Sequence, residues 1–114
     1  MPSRFLIKQT DNNEYFFNFV DSAGEIILIS GHYPDKSLID EAIKEVKVNS
    51  LMSQQLAAGR TADGGQFFVI KGTDGNVLVK SVLYTSQMLM DNALHCVKDN
   101  ACIAESEDLC LQVA

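Results

Sequence analysis

The chain repeats itself at an interval of 51 residues, and that interval limits the folds open to it more than any other property. Residues 23–30 read AGEIILIS and residues 74–81 read DGNVLVKS. Sliding the sequence by 51 positions without a gap pairs Phe16 with Phe67, Phe17 with Phe68, Gly24 with Gly75, Ser30 with Ser81 and Tyr33 with Tyr84. Asp40 and Asp91, Ala42 and Ala93, Val46 and Val97, Lys47 and Lys98, and Asn49 and Asn100 fall in the same register. So do the conservative pairs Phe19/Ile70, Ile26/Val77 and Ile43/Leu94. Solenoids usually need about three copies to bury a continuous core. Two copies instead predict two units, about residues 1–52 and 53–114, that share one core about a pseudo-twofold axis within a single domain of 114 residues.

Each unit reads as three strands and a helix. RFLIKQT (residues 4–10) and the aromatic YFFNFV (15–20) flank the turn DNNE, and DSAG leads into EIILIS. In the second unit NVLVKS is the matching third strand, and Ser53 to Arg60 has the place of an opening strand, although LAAG is weak by propensity. Gly24 and Gly75 sit where a tight hairpin demands φ > 0. After Tyr33 and Tyr84 the period lengthens. Ile39, Ala42, Ile43 and Val46 form an i, i+3, i+4, i+7 stripe, and Met90, Ala93, Leu94 and Val97 repeat it, so both segments are predicted amphipathic helices. Asp35 and Ser86 stand at their entrances as N-caps, and Lys47 and Lys98 in their last turns suit the helix dipole. DLCLQV (108–113) alternates like a strand and offers a third copy of the opening element. The predicted order is βββα-βββα-β, an α+β chain.

Charge and cysteine usage remove several functional classes. The net charge is −6 and no cluster of Lys or Arg occurs, which argues against nucleic acid and against anionic membrane surfaces, since both are bound through cations. The opening MPSRFLIKQT has neither the apolar core of a secretory signal nor the length of a membrane span, so a cytoplasmic location is expected. Cys96, Cys102 and Cys110 are odd in number and lack CxxC spacing, which predicts free, reduced thiols rather than disulfides or a zinc site.

Groups that carry chemistry are sparse. His32 has Leu83 as its repeat mate and His95 has Lys44, so neither histidine is a shared feature, and both are expected to be solvated. His95 and Cys96 are adjacent on a helix, about a hundred degrees apart, and cannot form a nucleophile pair directly. Glu105, Glu107 and Asp108 read as a solvated acidic face. No phosphate-loop, dinucleotide, zinc-protease or nucleophile-elbow pattern is present, and TADGG and GTDG are hairpin turns rather than phosphate cradles. No catalytic, cofactor-binding or metal-binding residue is therefore assigned. The most suggestive polar positions are the paired Tyr33 and Tyr84, which with His32 form a candidate groove for a small ligand or a minor enzymatic activity.

FFNFVDSAG and FFVIKGTDG, the Ser and Tyr that follow each third strand, and the helical run ending Val-Lys-x-Asn together resemble the YegP-like, or UPF0339, family, also called domain of unknown function 1508. NALHCVKDNA (92–101) is the nearest stretch to the family pattern, and the resemblance spans nearly the whole chain. Two departures stand out. Ala42 and Ala93 replace a common glycine, and the lysine three residues after the tyrosine is kept as Lys36 but lost at Gln87, which argues against a duplicated Tyr-x-x-Lys active site. The resemblance implies tandem β3-α-β units in a single, mainly antiparallel sheet, with two helices on one face and the C-terminal strand of each unit exchanged. It also implies that single-unit relatives build the same object as homodimers, and it brings no biochemical activity.

With the helices on one face, strand alternation assigns Phe17, Phe19, Phe68, Ile70, Ile26, Leu28, Val77 and Val79 to the core. The opposite parity sends Phe16, Ile27, Ile29, Phe67, Val69 and Leu78 to the helix-free face as a candidate interaction surface. The expected function is a small, uncharacterised, non-enzymatic module that meets a protein partner there. The duplication predicts a monomer that mimics a dimer.

Overall fold

A computed structural model describes residues 3–110 of the chain. Among them run β1 (Arg4–Gln9), β2 (Tyr15–Val20), β3 (Ile26–Ser30), α1 (Lys36–Asn49), β4 (Leu56–Arg60), β5 (Gln66–Lys71), β6 (Val77–Ser81), α2 (Gln87–Asn100) and β7 (Glu105–Asp108). The strands make one sheet in the order β4-β5-β6-β3-β2-β1-β7. Every pairing is antiparallel except that of β7, which lies parallel to β1. The two units thus meet along β3 and β6, where Ile29 faces Lys80.

Both helices form where the periodicity places them. Asp35 accepts a hydrogen bond from the Ser37 N–H and Ser86 from the Leu89 N–H, satisfying orphan donors of the first turns. The helix stripes and one face of the sheet close a single core in which Phe5, Phe17, Phe19, Leu28, Ile39, Val46, Phe68, Ile70, Val79 and Val97 are almost fully buried. Each such side chain contributes roughly 1.5–3 kcal/mol relative to exposure. Among the described residues no helix is long and apolar enough to cross a membrane.

Three sequence expectations shift. Ser53–Gln55 is a 3-10 turn, and the strand of that segment begins only at Leu56. The last strand occupies Glu105–Asp108 rather than starting at Asp108, and residues 111–113 of the expected strand lie outside the described residues. Ile26 and Val77, expected in the core, are 39% and 55% exposed. A β-bulge explains them: Phe19 pairs with Leu28 but Val20 with Ile26, and Ile70 pairs with Val79 but Lys71 with Val77. Ile27 and Leu78 are the extra residues, and an extra residue reverses the parity of everything before it.

The strand exchange is complete at one edge only. β7, the end of the second unit, is laid on β1 of the first, while the strand that follows α1 is β4, which opens the second unit and pairs antiparallel with β5. One segment therefore ends one unit and begins the next.

Candidate functional site

The helix-free face is built by the residues whose neighbours along each strand are buried. Ile29, between Leu28 and Ser30, is 42% exposed and lies opposite Asn18 on β2 and Lys80 on β6. Val69 also faces Lys80, and Phe67 faces Gly59. A Cβ on Gly59 would fall 2.6 Å from Phe67 Cζ, so only glycine lets the ring lie across β4. This close approach half-buries Phe67 and gives the weak LAAG segment its packing. Lys80 Nζ lies 4.4 Å from the centre of the same ring, a cation–π contact. Phe16 stacks at 5.5 Å on His32. A shallow depression of about 520 Å³ is lined by Ile29 together with Val77, Leu78, Lys80 and Leu83.

Five of the six apolar residues assigned to this face, Phe16, Ile29, Phe67, Val69 and Leu78, are at least partly exposed. The sixth is corrected by the bulge in β3. Ile27 is only 5% exposed and belongs to the core cluster, whereas Leu78, at the matching bulge of β6, packs partly against that cluster and also lines the depression.

The tyrosine positions have a backbone role. Tyr33 exchanges two hydrogen bonds with Tyr15, both 2.7 Å, and Tyr84 does the same with Gln66. Their side chains pack against the core, and burial pushes both hydroxyls above the usual range. After burial the secondary cause differs: Glu45 for Tyr33, and Asp21 with Cys96 and Glu25 for Tyr84. The two tyrosines have different charged neighbours. His32 is exposed, 3.9 Å from Glu14, and takes no part in either setting.

Sequence reasoning missed a difference between these settings. Glu45 Oε1 accepts from the Thr73 N–H at 2.8 Å and from the Thr73 hydroxyl, tying α1 to the hairpin of the other unit. Its repeat mate, Cys96, is too short to do so, and a cleft of about 250 Å³ opens beside Tyr84, Asp21 and Glu25. The signal was present in the Glu45/Cys96 mismatch. His95 and Cys102 are exposed, and Cys96 and Cys110 are half-buried; all three thiols are free. The Cys110 thiol is pushed up, first by burial and then by Asp108.

The acidic stretch proves to be a fastener. Arg4 meets Glu107 at 3.3 Å, and Lys36 donates to Asp108 at 2.8 Å. The Lys36 bond holds the Asp108 carboxyl below its ordinary value, helped by the Cys110 N–H, and raises Lys36 in turn. No cluster of metal-ligating side chains occurs among the described residues.

Comparison with known proteins gives consistent matches. The model of a family described as a domain of unknown function, DUF1508, matches residues 11–53. The UPF0339 protein YegP of Yersinia pestis is 31% identical over 105 residues, covering 92% of this chain and 94% of its own length. A UPF0339 protein of Pseudomonas aeruginosa is 33% identical over 99 residues, with 86% and 89% covered. The solution NMR structure of a UPF0339 protein from Shewanella oneidensis superposes with a TM-score of 0.92 at 25% identity, over 98% of this chain and 95% of that one. The NMR structure of the E. coli protein of unknown function yegP gives 0.91 at 21% identity, over 99% and 97%, a likeness of fold.

Proposed function

The chain belongs to the UPF0339 family, whose domain carries no assigned function, and from that premise we propose that it is a protein-interaction module working through the helix-free face of its sheet. The observation that supports this reading is Ile29, a large aliphatic side chain left 42% exposed in the middle of a seven-stranded sheet, beside a depression of about 520 Å³. Phe16, Phe67 and Val69 extend the apolar area, and Lys80 stands at its centre. Lys8, which follows Leu6 with the parity of this face, adds a second cation, its Nζ 3.2 Å from the Asn18 side-chain amide.

Two lysines on the open face of a chain of net charge −6, Lys8 and Lys80, suit a partner that presents an apolar anchor flanked by carboxylates. The same reading makes the protein a cytoplasmic monomer, because the duplication already supplies the contacts a single unit would seek from a second copy.

The test is affinity capture from a native lysate with the wild-type chain and an Ile29→Lys/Phe67→Lys variant whose fold is verified by its amide spectrum. A partner held by wild type and lost by the variant is the expected result. Equal capture by both proteins refutes the open-face reading.

A further inference from the structure

The edges of a sheet are where backbone donors and acceptors are left over. The two edges here are equivalent under the 51-residue repeat but differ in what lies on them. On β1 lies β7, running parallel in the register Arg4 to Glu105 through Ile7 to Asp108, and the Leu109 N–H donates to the Ile7 carbonyl at 2.8 Å. Arg4 and Lys36 hold it through Glu107 and Asp108. The matching edge of the second unit is β4, and no strand lies on its outer side among the described residues. There Ala58 takes the place of Ile7, Gln55 that of Arg4, and Gln87 that of Lys36.

The vacant edge is formed for pairing. Gln66 spends its backbone groups on Tyr84, and the Phe68 N–H turns to the Ser81 hydroxyl, so both point away from β4. Alternation along the antiparallel ladder then leaves Leu56, Ala58 and Arg60 with their N–H and C=O groups directed outward. A hollow of about 340 Å³ beside them is lined by Ala58, Gly59, Arg60, Gln66, Gln87 and Met90. The outer side of β7 is guarded by contrast, because all four of its residues are exposed and three of them are acidic. β4 has no such guard along LAAG and ends in a single Arg60.

We propose that the outer edge of β4 is a strand-addition site for an extended, uncharged segment of a partner protein, laid parallel to β4 as β7 is laid on β1. The molecule supplies its own template for direction, and the pairing carries over from Leu56 onward, since Gln55 belongs to the turn before β4. The chemistry of the occupant follows from Gln55 and Gln87, which offer neutral amides where the first unit offers two cations, so serine, threonine, asparagine or glutamine fits where Glu107 and Asp108 sit on the other edge. Backbone bonds then give affinity and these side chains give choice. A second copy fits worse. Two β4 strands related by a twofold axis run antiparallel, and a β7 from another copy would bring two carboxylates to two amides while leaving its own Arg4 and Lys36 unpaired. The proposal is independent of the helix-free face.

The experiment is an amide NMR titration of the full chain with two synthetic peptides with blocked termini: residues 104–110 of this sequence, and the same peptide carrying Glu105→Gln, Glu107→Gln and Asp108→Asn. The neutral peptide is expected to shift the amides of Leu56, Ala58 and Arg60 and to bind about fivefold tighter than the acidic one. A Gln55→Arg/Gln87→Lys variant of the chain is expected to invert that preference. Ala58→Pro removes one outward N–H at an edge, where proline is tolerated, and should abolish both shifts. If that variant unfolds, the inversion alone decides. Undisturbed β4 amides with both peptides, or a wild-type preference for the acidic peptide, would overturn the proposal. So would broadening of β4 amides with protein concentration in the absence of peptide, which would assign the edge to a second copy.

Discussion

At the scale of single residues, the repeated serines show why some identities recur. Ser30 Oγ accepts from the Phe17 N–H at 2.8 Å and donates to the Gly31 carbonyl, and Ser81 does the same for Phe68 and Val82. Each hydroxyl replaces a ladder partner inside the core. Ser30→Ala or Ser81→Ala is therefore expected to lower stability by about 1–3 kcal/mol, and to speed exchange of the Phe17 or Phe68 amide, as read by denaturant melts and hydrogen exchange. Gly24 and Gly75 carry φ of 84° and 85°, as their shared position in the hairpins predicts, and Gly24→Ala should cost about 1 kcal/mol. The glycines were legible because one residue type serves that backbone. The serines were not, because a Ser–Ser match does not say which amide it answers.

At the scale of elements, the helices were legible and the third strands only in part. A helical stripe tolerates small errors of phase, whereas one extra residue in a strand turns every preceding side chain over. That is why Ile39, Ala42, Ile43 and Val46 are buried as their spacing predicts, while Ile26 and Ile27 exchange roles. The last strand was placed three residues late because alternation in DLCLQV is a weaker signal than the charges that hold ESED against Arg4 and Lys36. Those charges carry a pH dependence. Asp108 is lowered from 3.8, so its contribution is present above that value and is lost as pH falls through the lower folded one. Lys36 is raised from 10.5, so its contribution is present below that value and is lost as pH climbs past it. β7 should loosen below about pH 4 and again above about pH 10.5. Protection of the Leu109 amide, which is bonded to Ile7, reads this out, and Asp108→Asn should remove the acid limb.

At the scale of the whole molecule, the repeat led to the right architecture: one mainly antiparallel sheet and two helices. What it left open was the reciprocity of the exchange, because a segment that fits two templates equally well does not declare which one it serves. The shared core makes a further outcome testable. Val46 and Val97, from different units, are both 0% exposed within the same cluster. A chain cut between residues 52 and 53 should give halves with little fixed structure alone and a native-like circular dichroism spectrum when mixed. Light scattering of the intact protein should return the mass of one chain, 12.6 kDa.

The parallel pairing of β7 on β1 also has a consequence in time. A ribosome makes β1 first and its outer neighbour last, about a hundred residues later. At roughly 5–20 residues per second, the left flank of the nascent sheet stays bare for on the order of five to twenty seconds. Throughout that interval the outward backbone groups of β1 have no strand to answer them, and only the emergence of β7 gives the Ile7 carbonyl its partner at Leu109.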